Sequence, residues 1–469
     1  MNRTQGFPSQ VITTWFLPTP LVWTLLANIP SMQDTFPDDP RSQPRQLGPQ
    51  ELYEIFKARH DPDSQSLISA VFEYPDFLPI AFLELGMKRA SAVCRLVRHF
   101  SADSCHKLAE KIAEIDTQLA GKQNHLTARE IAEVFAVGER SQSDVENFYK
   151  RFEIDGQLPS QCLNDNPQII EDLRPIPIGT GFMVGNSYLL TNHHVIPNGE
   201  VAVECLAQFG YEQDVYGRKI VPIAYEIDET FFVTCPQLDY SLLKLKPKPK
   251  DKNLEILGKA GDRFSWIQMS TDRTLVSPPI TPEFKREFSL DVDDDFPGDP
   301  VNIIQHPKGT RKQVALSYNR MLEMDSNFIR YEADADFSSS GSPVFNQQWQ
   351  LVGLHHAAIP QLDENNKPVM RDGGKSFEIL QQQGIRICRI VEDLKEQAEQ
   401  LNRQAMERAI QEGRYNPAMQ KRPPTDPIAD EILNFIRYFI DQPDASNFLG
   451  DGDNDYISTP YSPPNMSVF

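Results

Sequence analysis

Residues 336–345 read DFSSSGSPVF. The run is short, polar and turn-forming, and it leads into an apolar strand. Ser/Gly/Pro loops are common turn chemistry, so on its own the run marks a turn. It also sets a hydroxyl on a tight loop whose backbone N–H groups can converge on one point. A serine nucleophile needs that arrangement, because the oxygen of the carbonyl it attacks becomes an anion that backbone donors stabilise.

Two stretches upstream give the run its meaning. Residues 179–196, GTGFMVGNSYLLTNHHVI, read as a hairpin: apolar strand, Gly-Asn turn, apolar strand, then the pair His193 and His194. Residues 238–245, LDYSLLKL, place Asp239 at the mouth of an alternating strand. The chain order is His, Asp, Ser. In a triad of that kind the imidazole takes the serine proton, and the carboxylate orients the imidazole and stabilises its cation. Each stretch alone is ordinary structure; three in this order, at a spacing a β-barrel can accommodate, are seldom chance.

On these residues the chain resembles the trypsin-like (chymotrypsin-fold) serine peptidases, whose triads run in the same order. It is most similar to the bacterial branch with Thr-Asn-His-His-Val at the histidine (191–195) and Ser-Gly-Ser-Pro-Val-Phe-Asn at the serine (340–346). Glutamyl endopeptidases and the trypsin-like peptidase domains of bacterial conflict systems belong there. The resemblance implies a mainly β fold with helical additions: two six-stranded antiparallel β-barrels, N-terminal helices, a helical insertion and C-terminal helices. It implies a serine endopeptidase working through an acyl-enzyme, with His194 as base because it directly precedes Val195, Asp239 as the acid and Ser340 as nucleophile. His193 is left a structural role. The oxyanion donors would be the backbone N–H groups of Ser338 and Ser340.

The sequence departs from the family pattern in two places. Relatives carry Gly at the Ser338 position, where the peptide turns its N–H inward, often with φ > 0. Ser339 stands where pancreatic-type relatives carry the Asp of their zymogen switch, and no Arg-Ile-Val-Gly-Gly site is present, so control would run through the helical additions. For the substrate pocket the resemblance points two ways. Asp334, six residues before Ser340, matches a basic-selective Asp; His355 matches a histidine that holds acidic side chains in glutamyl endopeptidases.

A chain of 469 residues has room for two or three domains with ample cores. The formal charge of −20, from 66 acidic and 46 basic residues, argues against nucleic acid as a partner, which needs a basic face. Six cysteines are scattered without a CxxC, which fits reduced thiols and a cytoplasmic protein. The alternative, a secreted or membrane-tethered protein, rests on residues 11–27, VITTWFLPTPLVWTLLA. That run is broken by Pro18 and Pro20 and is shorter than the about 20 residues a spanning helix needs. Arg3 alone precedes it, so it lacks a basic n-region, and Met32 is an alternative start.

The expected organisation is a flexible leader at 1–48 and a small helical module at 49–87. A peptidase domain follows at 88–397, then C-terminal helices at 398–442 and a disordered acidic tail at 443–469. A first barrel of this family has three strands before its histidine, yet only two fit between Ile176 and His194. The first strand therefore comes from residues 92–98, and residues 101–170, rich in helix formers and carrying a capping box at 127–130, form an insertion. Barrel one would end at 246 and barrel two would occupy 250–397, including 262–265 and 301–309. His306, just before Pro-Lys-Gly, reads as a turn residue. Residues 291–295, DVDDD, resemble half a calcium loop, but Phe296 and Asn302 replace the Gly and Glu it requires, so they read as a solvated acidic loop. Triad chemistry requires no metal or organic cofactor. The expected partners are a protein or peptide substrate and a regulatory protein docking on the helical module or insertion. The competing reading is a catalytically silent protease-like scaffold that binds partners.

Overall fold

The computed structural model describes residues 44–59, 78–99, 176–288, 297–336, 338–364, 369–371, 376–420 and 422–442. The apolar run at 11–27, the insertion at 101–170, the acidic loop at 291–295 and the tail at 443–469 lie outside the described residues.

The first barrel is built from β1 (Val93–Arg98), β2 (Ile176–Met183), β3 (Tyr188–Thr191), β4 (Cys205–Phe209), β5 (Ile223–Cys235) and β6 (Tyr240–Leu245). They close in the order β1-β2-β3-β6-β5-β4, all antiparallel. β1 is the first strand of this barrel and pairs on both edges, so Val93, Cys94, Leu96 and Val97 are all buried. Arg95 and Arg98 leave the core through named partners. Arg98 pairs with Glu204 at 2.7 Å. Arg95 reaches Gln208, the Gly309 carbonyl at 2.9 Å and the Tyr211 ring. Arg98 faces Ile176 across the ladder, so the chain leaves β1 and re-enters β2 at one point.

The second barrel comes from a seven-stranded sheet. It contains β7 (Asn302–Gln305), β8 (Gln313–Ala315), β9 (Met321–Met324), β10 (Phe328–Tyr331), β11 (Pro343–Phe345) and β12 (Leu351–Pro360). After a small hairpin of β13 (Met370–Arg371) and β14 (Ser376–Phe377), β15 (Ile379–Arg386) completes it. The order is β8-β7-β11-β12-β15-β10-β9. The sheet curls until β9 meets the residues before β7: Met321 N–H donates to Asp299 O at 2.9 Å, Val301 N–H to Asn319 O at 3.1 Å, and Pro300 bridges Arg320. Six strands thus form the barrel, and β8 is an extra edge strand beyond the expected six. The link is short because Pro300 has no N–H to extend a ladder.

The helices are packed against these barrels. α1 (Pro49–Arg59) buries Ile55 among Val301, Ile303 and Val352 of the second barrel, and Phe56 against Ile280. Residues 44–48, expected within the flexible leader, are tied down: Arg45 exchanges hydrogen bonds with Ser326 and pairs with Glu51 at 2.7 Å. α2 (Ala81–Ser91) lays Gly86 on Trp349, where a Cβ would come within 2.5 Å of the indole, and runs straight into β1. α3 (Gly199–Val203) precedes β4. α4 (Ala260–Phe264), from the stretch assigned to the second barrel, sits on the first. Phe264 stacks on Phe209 and Gly261 N–H donates to Asn186 O. α5 (Pro282–Phe288) stacks Phe288 on Tyr53 of α1.

The C-terminal segment forms α6 (Ile387–Gln411) and α7 (Pro427–Phe439). Asp426 caps α7 by accepting from Ile428 N–H at 2.9 Å, with Pro427 pre-set for the first turn. α7 then buries Ala429, Ile432 and Phe435 at the first barrel, where Tyr188 meets Phe435 and hydrogen-bonds Glu431. Cys94, Cys205, Cys235 and Cys388 are free and buried. Among the described residues no helix is long and apolar enough to cross a membrane.

Candidate active site

His194 follows β3 on a turn closed by Asn192, whose carbonyl accepts from Val195 and Ile196 N–H. Asn192 Nδ2 in turn donates to the Asp239 carbonyl at 2.9 Å, tying that turn to the β5–β6 connection. Asp239 sits there with φ +47°, a left-handed conformation that Asp tolerates better than most residues. Both carboxylate oxygens engage the histidine. His194 N–H donates to Oδ1 at 2.9 Å and Nδ1 to Oδ2 at 2.7 Å. The carboxylate is therefore fixed in plane and the imidazole proton sits on Nδ1, which leaves Nε2 free to accept. His193 turns the other way, Nδ1 to Thr234 Oγ1 at 2.9 Å. Burial lowers the His193 imidazole below its ordinary value, against the pull of Asp239.

The serine loop is held by the first barrel as much as by the second. Thr180 of β2 donates its N–H to Ser340 O at 2.8 Å and its hydroxyl to Ser338 O at 3.0 Å, while its own carbonyl accepts from Thr191 Oγ1 at 2.8 Å. Gly179 packs against Val195, and a Cβ there would lie 2.7 Å from Val195 Cγ1 and 3.1 Å from Ser340 O. One glycine thus separates the residue after His194 from the backbone of Ser340. On the other side, Gly341 N–H donates to His355 O and His355 N–H to Ser342 O, extending the β11–β12 ladder up to the loop. Gly341 has φ +86°, and a Cβ on it would lie 2.0 Å from Thr180 O, so only glycine fits. Ser342 Oγ closes the turn on Ser339 O at 2.6 Å.

Ser338 adopts φ +69° although it is not glycine. Its side chain is buried, and its hydroxyl has no hydrogen-bond partner among the described residues. Neither Ser338 N–H nor Ser340 N–H donates to a backbone carbonyl among the described residues, whereas Ser339 N–H between them is used by Asp336 O. The positive φ and the two uncommitted N–H groups are what an oxyanion site requires.

Among the described residues, no hydrogen bond or ion pair links the two pocket candidates. Asp334 is exposed, its backbone carbonyl accepting from Gln305 Nε2. His355 is buried, with Nδ1 2.8 Å from Tyr331 Oη, and burial pushes its imidazole down to about 3, with His356 and His194 adding to the effect. His306 caps the turn at Pro307–Gly309, Nδ1 to Thr310 O at 3.0 Å, and burial holds it neutral, at about 3.

His356 is the residue the sequence reading did not assign. Its Nδ1 lies 3.1 Å from Asp239 Oδ2, the oxygen that also takes His194, and its Nε2 lies 2.9 Å from Gln383 Oε1. Alternation along a strand would send His355 and His356 to opposite faces. A bulge between His355 and Ala357, opposite Gly384 and Gln383, lets both be buried. Burial would raise the Asp239 carboxyl, but the two imidazoles together hold it well below the usual carboxylate range.

Two antiparallel barrels, with an imidazole–carboxylate pair from the first beside a serine turn from the second, define a chymotrypsin-like double-barrel protein. Residues 179–354 match the family described as Trypsin-like peptidase domain. A relative in Sinorhizobium fredii (strain NBRC 101917 / NGR234), "Uncharacterized protein y4fB", is 28% identical over 243 residues. The match covers 46% of this chain and 33% of that relative. Among solved structures, the Rv3671c protease in its inactive form shares 14% identity at a TM-score of 0.27, over 46% of this chain and 82% of that one. The HtrA-type protease AlgW with decapeptide shares 14% at 0.29, over 66% and 64%. Superpositions that weak carry no argument about this site.

Proposed function

We propose that the chain is a serine endopeptidase in which His194, Asp239 and Ser340 act as the triad. The observation that carries this reading is the two-point engagement of His194 by Asp239, which fixes the tautomer a general base needs, beside a serine turn whose Ser338 and Ser340 N–H groups meet no backbone carbonyl among the described residues. Ser340 Oγ attacks the carbonyl carbon of a peptide bond while its proton passes to His194 Nε2. Asp239 stabilises the imidazolium through Nδ1–H, and the oxyanion is held by the N–H groups of Ser338 and Ser340. The imidazolium then gives its proton to the leaving amine as the C–N bond breaks. Water, deprotonated by the same imidazole, hydrolyses the acyl-enzyme and regenerates Ser340.

Protein or peptide substrates follow from the domain. Control through the helical additions belongs to the same reading: residues between Arg98 and Ile176 enter and leave at one point, and Ile176 is three residues from Gly179 at the serine turn. The buried free thiols are in keeping with a reducing, cytoplasmic setting, which fractionation of the native host tests. The decisive experiment is labelling with a fluorophosphonate probe. Wild type is expected to label and Ser340→Ala to stay unlabelled. Folded wild type that never labels, before or after excision of residues 101–170, would leave the scaffold reading instead.

A further inference from the structure

His356 has no place in a three-residue triad, yet it is buried against the same carboxylate oxygen as His194. We propose that His356 is a positioning residue: its imidazole clamps the Asp239 oxygen that takes His194 Nδ1, and so holds the carboxylate where the catalytic imidazole needs it. The proposal rests on the triad reading above.

The geometry fixes where the protons go. Asp239 Oδ2 is an acceptor, so His356 Nδ1 must carry a hydrogen to approach it at 3.1 Å. Nε2 then faces Gln383 Oε1 at 2.9 Å, also an acceptor. The Gln383 amide can present either its oxygen or its NH2 group to Nε2, so both ring nitrogens are held. Phe328 of β10 stacks on the ring with centroids 5.4 Å apart and holds its plane.

The titratable groups facing His356 are few. Asp239 lies on the β5–β6 connection, His194 lies beyond that carboxylate, and His355 precedes it on β12. β15 offers the neutral Gln383 and β10 the Phe328 ring. With Nδ1–H of His356 on Oδ2, the Asp239 carboxylate has a second donor that keeps it from turning away from His194. The rate of attack therefore depends on a second imidazole as well as on His194.

The experiment measures the second-order rate constant for fluorophosphonate labelling of Ser340. His356→Ala should lower it by about tenfold to a hundredfold, the effect of losing a hydrogen bond to a charged group. His356→Asn keeps a donor at the Nδ1 position and should recover most of that loss. An unchanged rate in His356→Ala, or no recovery in His356→Asn, overturns the proposal. Should wild type fail to label, the serine reading fails separately. His356 is then judged by 15N-histidine NMR of Ser340→Ala: an Nδ1 proton on His356 that vanishes in the added Asp239→Asn change supports the clamp, and its absence overturns it.

Discussion

Ser338→Gly tests how the serine turn is held. Ser338 sits at φ +69° with a buried hydroxyl lacking a partner among the described residues. A left-handed conformation costs an L-residue about 1–2 kcal/mol, which glycine does not incur. Glycine gives back about 0.5–1 kcal/mol through the freedom of the unfolded chain. Removing an unsatisfied buried hydroxyl is worth a further about 1–3 kcal/mol. The sum is a stabilisation of about 3 kcal/mol, or a rise in Tm of about 6–12 °C for a domain of this size. Ser338→Ala separates the two contributions, because it removes the hydroxyl and keeps the strain. Urea unfolding of the three proteins should rank them glycine variant, alanine variant, wild type. Because the N–H of Ser338 already has its inward-turning conformation, labelling of Ser340 should change by no more than about threefold in the glycine variant, less than about 1 kcal/mol of barrier. The reasoning is refuted if the alanine variant is less stable than wild type, since the hydroxyl would then have a partner. It is refuted equally if glycine raises labelling by a large factor, since the resting turn would then not be the working one.

The other predictions concern groups around the same turn. Gly341→Ala drives a Cβ to within 2.0 Å of Thr180 O at φ +86°, so it should cost about 2–5 kcal/mol in urea unfolding and abolish labelling of Ser340; a loss under about 0.5 kcal/mol would contradict the packing described. Asp239→Asn removes the anion that fixes His194, and labelling should slow by about 10⁴-fold while the protein stays folded by circular dichroism. His306 and His355 are buried neutral with values near 3, below the about 6.5 of the unfolded chain. The unfolded state therefore binds protons first as pH falls. Their contribution to stability is complete above about pH 6.5 and is lost at about 1.4 kcal/mol per pH unit for each, down toward pH 3. Urea midpoints measured from pH 7 to pH 4.5 should drop, and the drop should be shallower in His306→Gln.

What could be read in the sequence was what local chemistry dictates. Gly341 is required by a turn that leaves no room for a Cβ, and the Ser-Gly-Ser-Pro run therefore announces that turn. Asp239 announces itself because a carboxylate at the mouth of an apolar strand needs a partner, and the histidine turn supplies one. β1 was legible by elimination, since a closed barrel needs a strand that the residues just before His194 cannot supply. Features decided by long-range packing stayed hidden. His356 reaches Asp239 only because one bulge offsets the strict alternation of β12, and nothing in Leu-His-His-Ala marks the bulge. The helical spacing of α1 is plain, but not that Ile55 joins the core of the second barrel while Phe56 packs on Ile280 beside it. Nothing in residues 262–265 marks them for the first barrel, because Phe264 finds its stacking partner, Phe209, 55 positions back along the chain.

The proposed triad divides between barrels, with His194 and Asp239 on the first and Ser340 on the second, so its accuracy depends on how the barrels are registered. Hydrophobic contact sets no register, because it has no direction. The hydrogen bonds of Thr180 do. Its N–H and hydroxyl bind the carbonyls of Ser340 and Ser338, its hydroxyl also accepts His306 N–H from the second barrel at 3.2 Å, and its carbonyl is held by Thr191, three residues before His194. Thr180, Thr191, His306 and Ser338 are buried, so a slip between the barrels would leave several polar atoms unpaired at about 1–3 kcal/mol each. Arg95 adds a second tie, reaching Gly309 O of the second barrel from β1. The Gly-Thr-Gly at 179–181 is therefore the joint between the halves: small enough at Gly179 for Val195 and Ser340 to approach, and polar enough at Thr180 to fix the distance at which they do so.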